Sequence, residues 1–136
     1  MHGWILTYKG INITTDGGVS WKYREVAPSG GLEDISFIDN NNGWATGSKL
    51  QMYKTTNGGL DWISISPSNL RGDYDTVHFV DSNNGWASGT IYNYPAMTFP
   101  SIIIHTDDGG QTWDYQYYGE EKIREQELHV FILQTL

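Results

Sequence analysis

Cysteine is absent from this 136-residue chain, so neither a disulfide framework nor a thiolate zinc site is available to it. Uninterrupted apolar stretches are short, and none approaches the ~20 residues a membrane-spanning helix needs. The opening Met1-His2-Gly3-Trp4 lacks the basic region and apolar stretch of a signal peptide. Basic residues are scarce: eight Lys and Arg stand against 16 Asp and Glu, a formal net charge of −8. A nucleic-acid partner calls for a basic face, so that class is excluded, and an anionic membrane surface is disfavoured for the same reason. The four histidines, His2, His78, His105 and His129, show no metal-ligand spacing, so no metal or cofactor is expected and structural roles are the simpler reading. What the chain has in quantity is aromatic residues, six Trp and nine Tyr among them, which favour a packed β protein over disorder.

Those aromatics are periodic. Thr14-Thr15-Asp16-Gly17-Gly18-Val19-Ser20-Trp21 recurs as Thr55-Thr56-Asn57-Gly58-Gly59-Leu60-Asp61-Trp62 and again as Thr106-Asp107-Asp108-Gly109-Gly110-Gln111-Thr112-Trp113. A second phrase interleaves with it, as Gly3-Trp4, Gly43-Trp44 and Gly85-Trp86. A shared period of about 40 residues suits one four-stranded propeller blade. The fold class expected is therefore all-β, with antiparallel blades.

Strand and turn signals set the register. Ile35 and Phe37 flank Ser36 ahead of an Asn-Gly turn, and Val77 and Phe79 flank His78 ahead of another. Naming the strands of a blade a to d, the order reads b-c-d, a-b-c-d, a-b-c-d, a. The final a is Leu128–Leu133, after a charged stretch from Gly119 to Glu127 that reads as a loop or a short helix. Residues 1–136 are thus expected to form one module, with repeats at about 1–33, 34–74 and 75–118 and a closing strand at 128–134. Three blades do not close a ring, since propellers have about four to eight. The module is expected either to belong to a larger propeller or to assemble, two copies giving six blades.

The Thr-x-Asp/Asn-x-Gly-x-x-Trp element resembles the Asp-box, or BNR, repeat of sialidases, some glycoside hydrolases and sortilin-type receptors. The phrase Phe-x-Asp-x-x-x-Gly-Trp-Ala-x-Gly, at Phe37–Gly47 and Phe79–Gly89, is similar to the photosystem II stability/assembly factor-like repeats. That resemblance implies a propeller that binds partners, in an extracellular or periplasmic setting.

Read physically, Asp16, Asn57 and Asp108 accept hydrogen bonds from the turn that follows, the double glycines supply positive φ, and Trp21, Trp62 and Trp113 are expected to be buried between blades. An amide at position 57 argues against a cation site there. Asp39–Gly43 and Asp81–Gly85 read as Asx-type turns, because Leu50 and Tyr92 stand where a calcium loop would close with glutamate. No nucleophile–base pair is recognisable. The three arginines, Arg24, Arg71 and Arg124, fall in or beside d-to-a connectors, each with an acid nearby. They keep open the alternative of a fragment of a sialidase-like or other glycoside hydrolase. The break in repeat symmetry is the third b-to-c connection, Thr90–Ser101, nine residues longer than its counterpart. Its aromatics Tyr92, Tyr94 and Phe99, with Arg71 nearby, are the candidate ligand-binding residues, for a protein or glycan partner.

Overall fold

The computed structural model describes residues 1–66, 71–94 and 96–119. Eleven strands form three antiparallel sheets among them. The first sheet has three strands, β1 (Gly3–Leu6), β2 (Gly10–Thr14) and β3 (Lys22–Glu25), in that spatial order. The second runs β4 (Leu32–Phe37), β5 (Gly43–Gly47), β6 (Gln51–Thr55), β7 (Ile63–Ser64). The third runs β8 (Gly72–Phe79), β9 (Gly85–Ile91), β10 (Ser101–Thr106), β11 (Asp114–Tyr118). The architecture is all-β, three partial propeller blades in b-c-d, a-b-c-d, a-b-c-d order, without closure into a barrel. The inner strands start earlier than the repeat bounds drawn from sequence, at Leu32 and Gly72, because pairing extends past a bulge in each, between Leu32 and Asp34 and between Tyr74 and Thr76. The expected closing strand 128–134, the stretch 120–127, Arg124 and His129 lie outside the described residues.

The Gly-Trp phrase explains how blades join. Phe37 pairs with Gly43 and Phe79 with Gly85 across the a-to-b hairpins. A Cβ on either glycine would sit 2.5–2.6 Å from the phenyl ring, so the ring lies where a side chain would otherwise be. The preceding blade then covers that ring with its own tryptophan. Trp4 stacks on Phe37 at 3.9 Å and 9°, and Trp44 on Phe79 at 3.6 Å and 6°. From within the same blade, Trp62 meets Phe37 edge-on at 5.9 Å and Trp113 meets Phe79 at 5.9 Å. Each phenylalanine is thus held by a glycine below, an indole face above and an indole edge beside it, a favourable pairing for ring quadrupoles.

Polar contacts repeat at the same joints. The indole N–H of Trp4 donates to the Gly58 carbonyl at 2.9 Å, and that of Trp44 to the Gly109 carbonyl at 3.2 Å. Between the second and third blades, the Asp34 carboxylate accepts from the Thr76 hydroxyl at 2.7 Å and the Val77 N–H at 3.0 Å. The Ser36 hydroxyl accepts the Phe79 N–H at 3.1 Å. Two apolar clusters fill the joints, one around Trp44, Tyr74, Phe79, Ile102 and Ile104, the other around Ile11, Val26, Leu32 and Ala45. Every residue of β5 is buried, since blades flank it on both sides.

The expectation that Trp21, Trp62 and Trp113 are buried between blades needs correction. Trp62 and Trp113 are half-buried against phenylalanines of their own blades, and Trp21 is 41% exposed. Trp4 and Trp44 are the wedges between blades, and Trp44 is fully buried. Truncating Phe79 to alanine should therefore cost about 3–5 kcal/mol of unfolding free energy, whereas Phe99→Ala, at an exposed ring, should cost under about 1 kcal/mol. Urea denaturation followed by circular dichroism measures both; equal losses would contradict the ring-stack account.

Candidate functional site

At one end of the blades sit the Asp/Asn-Gly-Gly turns. In the first, the Thr14 hydroxyl donates to Asp16 at 2.8 Å and accepts the Gly18 N–H at 2.9 Å. Asp16 also accepts the Ser20 N–H at 2.9 Å and the Ser20 hydroxyl at 2.6 Å. The third turn repeats this with Thr106, Asp108 and Thr112, the Thr112 hydroxyl donating to Asp108 at 2.6 Å. Both glycines of every turn take positive φ, from 74° to 94°, a conformation open to glycine at little steric cost.

The second turn reverses one polarity. Asn57 keeps the acceptor role, its Oδ1 receiving the Asp61 N–H at 3.0 Å, but its amide donates to the Asp61 carboxylate at 2.9 Å. Positions 57 and 61 have exchanged donor and acceptor together: Asn faces Asp where the other turns pair Asp with Ser or Thr.

Hydrogen bonds hold the turn carboxylates below their usual range. The Ser20 hydroxyl and N–H dominate at Asp16. Burial alone would raise the Asp108 carboxyl, but bonds from Thr112, Thr106 and Gln111 outweigh it and bring it to about 2. Asp39 and Asp81 are lowered by the Asn42 amide and the Asn84 N–H respectively, within the Asx-type turns expected of them. These a-to-b turns pack on the glycine turns, the Asn41 and Asn83 carbonyls accepting the Gly58 and Gly109 N–H groups at 2.8 and 2.9 Å. This end is consumed by its own hydrogen bonds.

The opposite end carries the b-to-c loops and d-to-a connectors. Here the long third loop is built as a small hairpin: Asn93 and Thr98 exchange two backbone hydrogen bonds, at 3.0 and 3.2 Å, and Met97 closes it with a φ of 53°. Tyr92 anchors the hairpin. Its N–H donates to the Arg71 carbonyl at 2.7 Å, and its hydroxyl donates to the Asp73 carboxylate. That bond, with burial and the Asp73 charge, pushes the phenol up to about 12. The Tyr94 and Phe99 rings pack edge-on to Tyr92, at 6.2 and 6.0 Å, and each remains 52% exposed. Tyr92, Tyr94 and Phe99 are therefore gathered in one cluster, with Arg71 joined to it through the backbone and its own residue exposed.

Sequence reasoning passed over the hub of this face, Asp73. One of its oxygens accepts the Tyr92 hydroxyl; the other accepts the Lys49 N–H at 2.8 Å, from the b-to-c turn of the neighbouring blade. Lys49 and Leu50 hold φ of 61° and 52° without glycine, and the Lys49 ammonium donates to the Ser29 carbonyl at 2.7 Å. The one available signal was the recurrence of an acid beside each arginine. The remaining candidates are dispersed. Arg24 lies within β3, its guanidinium on the Tyr23 carbonyl at 3.0 Å. His105 packs against Trp86 at 4.7 Å and His2 against Trp4 at 6.2 Å. No three His, Asp or Glu side chains gather as a metal ion would require among the described residues.

Fold and repeat turns together define a BNR-type β-propeller module. The chain belongs to the family described as Photosynthesis system II assembly factor YCF48, whose model matches residues 1–93 and 29–123. Among solved structures it is similar to one titled YCF48 bound to D1 peptide, with a TM-score of 0.64 and 24% identity over 84% of this chain. The chain spans 36% of that structure's length. No curated protein sequence matches it.

The reversed pair at positions 57 and 61 yields a direct expectation. Asn57→Asp should place two carboxylates together and lower stability by about 1 kcal/mol, and adding Asp61→Thr should restore it. Chemical denaturation of the single and double variants measures both; a destabilised double variant would refute the pairing. Acid sensitivity follows from Asp108. Its folded carboxyl, at about 2, lies below the ordinary 3.8, so the ionised form favours folding. The contribution is complete above about pH 4 and is lost as pH falls through about 2. Melting curves across that interval should show Asp108→Asn with a shallower decline than the parent chain.

Proposed function

We propose that this module is a non-catalytic binding scaffold whose partner is a protein, engaged at the loop face around Tyr94 and Phe99. The observation that carries this reading is the preorganised hairpin of the third blade. Tyr92 is tied to Asp73 and Arg71, Asn93 and Thr98 close the loop, and two aromatic rings are left half exposed at its tip. Rigid, exposed aromatics lose little conformational entropy on binding and are common anchors of protein interfaces. Exposed Arg71, whose carbonyl accepts the Tyr92 N–H, adds a cation to this face. Support for a protein over a glycan comes from the similar structure, whose title gives it a bound peptide. Partner binding in a compartment outside the cytoplasm, and assembly of two chains head to tail into six blades, belong to the same proposal.

The test is titration of the labelled D1 peptide, followed by anisotropy, against the chain and its Tyr94→Ala/Phe99→Ala variant. Loss of both rings should weaken binding by about tenfold or more with the melting temperature nearly unchanged. Equal binding by parent and variant would reject this face. Selective retention on immobilised oligosaccharides would favour the glycan, and turnover of a fluorogenic sialoside, lost on Arg71→Ala, would favour the glycoside hydrolase alternative.

A further inference from the structure

The three b-to-c connections share one end of the blades, and contacts run from each to the next. In the first, between β1 and β2, the Tyr8 carbonyl accepts the Leu32 N–H at 2.7 Å. The Tyr8 ring lies against Gly31, where a Cβ would stand 2.5 Å from it. Gly31 is bound in turn to the second connection. Its N–H donates to the Ser48 hydroxyl at 2.9 Å, and its carbonyl accepts the Ser48 N–H at 2.9 Å. Ser48 pairs across the next joint with Asp73, whose carboxylate accepts the Lys49 N–H and the Tyr92 hydroxyl. Tyr92 supports the Tyr94 and Phe99 rings of the third connection. The path Tyr8, Gly31, Ser48, Asp73, Tyr92 therefore crosses all three blades without a break.

The ends of this path differ from its middle. At each end an aromatic side chain is seated yet open to water: Tyr8 is 71% exposed, and its seat is the Gly31 backbone, while Tyr94 and Phe99 lean on Tyr92. Covering such rings is favourable, and a ring already seated loses little freedom when it is covered. In the middle the polar groups are committed to one another, Gly31 to Ser48 and both Asp73 oxygens to neighbouring loops. The charges left facing outward there are cationic. Lys49 is exposed with its ammonium on the neutral Ser29 carbonyl, and Arg71 is exposed beside the Tyr92 backbone. Backbone geometry is also fixed here, since Lys49, Leu50 and Met97, the non-glycine residues of positive φ among those described, all fall in these loops.

We infer that the loop face is one extended binding strip with two anchor points, Tyr8 at one end and Tyr94 with Phe99 at the other, and that its occupant is an extended segment of a partner protein. This rests on the loop-face reading proposed above and adds the first blade to it. The segment that fits carries an apolar side chain for each anchor. Over Lys49 and Arg71 it carries acidic or uncharged residues, because a cation there would meet two others with the Asp73 oxygens already engaged. A compact ligand such as a single sugar would cover one anchor and leave the other in water.

The test is anisotropy titration of the labelled D1 peptide, whole and shortened stepwise from either end, against the parent chain and its variants. Tyr8→Ala and Tyr94→Ala/Phe99→Ala should each weaken binding of the whole peptide by about tenfold or more, with the melting temperature nearly unchanged. Shortening from one end should remove the dependence on Tyr8 and leave that on Tyr94 and Phe99, and shortening from the other end should do the reverse. Gly31→Ala, which displaces the Tyr8 ring without removing it, should match Tyr8→Ala, and the two together should lose no more than either alone. Should Gly31→Ala unfold, Tyr8→Phe carries the comparison and should bind as the parent does. Binding that depends on Tyr94 and Phe99 but is indifferent to Tyr8→Ala would overturn the strip and leave the loop-face reading standing. A parent chain that does not bind the peptide, or binding indifferent to all three rings, would overturn that reading and the strip with it.

Discussion

The stacked indole and phenyl rings at 3.6–3.9 Å are the contact on which the rest of this molecule depends. These sheets of three or four short strands have apolar faces that their neighbouring blades cover. Their stability comes from joining face to face, and in repeat architectures the nearest-neighbour interface is the unit of stability. Here each interface is centred on one phenylalanine, and the glycine opposite it in the hairpin is part of the joint because any side chain there would occupy the ring's position. The Gly-Trp phrase is therefore two halves of different joints. Its glycine seats the ring of its own blade, and its tryptophan covers the ring of the next.

The two ends of the blades differ in chemistry because they differ in what remains unsatisfied. At the turn end, carboxylates, hydroxyls and backbone amides are matched within each repeat, so the polar groups have little left to offer a ligand. At the loop end, backbone pairing fixes the scaffold, and Asp73 spends both carboxylate oxygens on joining two blades. The side chains beyond that framework are turned outward. The insertion that breaks the repeat symmetry thus displays two half-exposed rings, Tyr94 and Phe99, held in place against Tyr92.

Much of the fold was legible in the sequence because its signals are local. Thr-x-Asp-Gly-Gly and Asn-Gly spell out turns within a few residues, and their spacing gives strand order and sheet membership. What stayed hidden depends on contacts between blades. Nothing near Trp21 in sequence separates its 41% exposure from the cover over Trp62, because the difference lies in a phenylalanine from another strand. Asp73 reaches Tyr92 across 19 residues and Lys49 across 24, distances at which pattern carries no information. The positive φ of Lys49 and Leu50 is likewise imposed by the turn and by the Asp73 and Gly72 acceptors, with no glycine to announce it. The aromatic cluster was legible as composition; its preorganisation was not.

The exchange at Asn57 and Asp61 bears on how such repeats can be recombined. Each position taken alone looks like drift from the commoner residue, yet the two are complementary halves of one hydrogen bond. A blade rebuilt by averaging each column over the three repeats would join Asp at the first position to whichever residue won the second, and could set two carboxylates against each other. The unit of inheritance in this turn is the pair, so shuffled or consensus blades keep their turns when positions four apart are copied together.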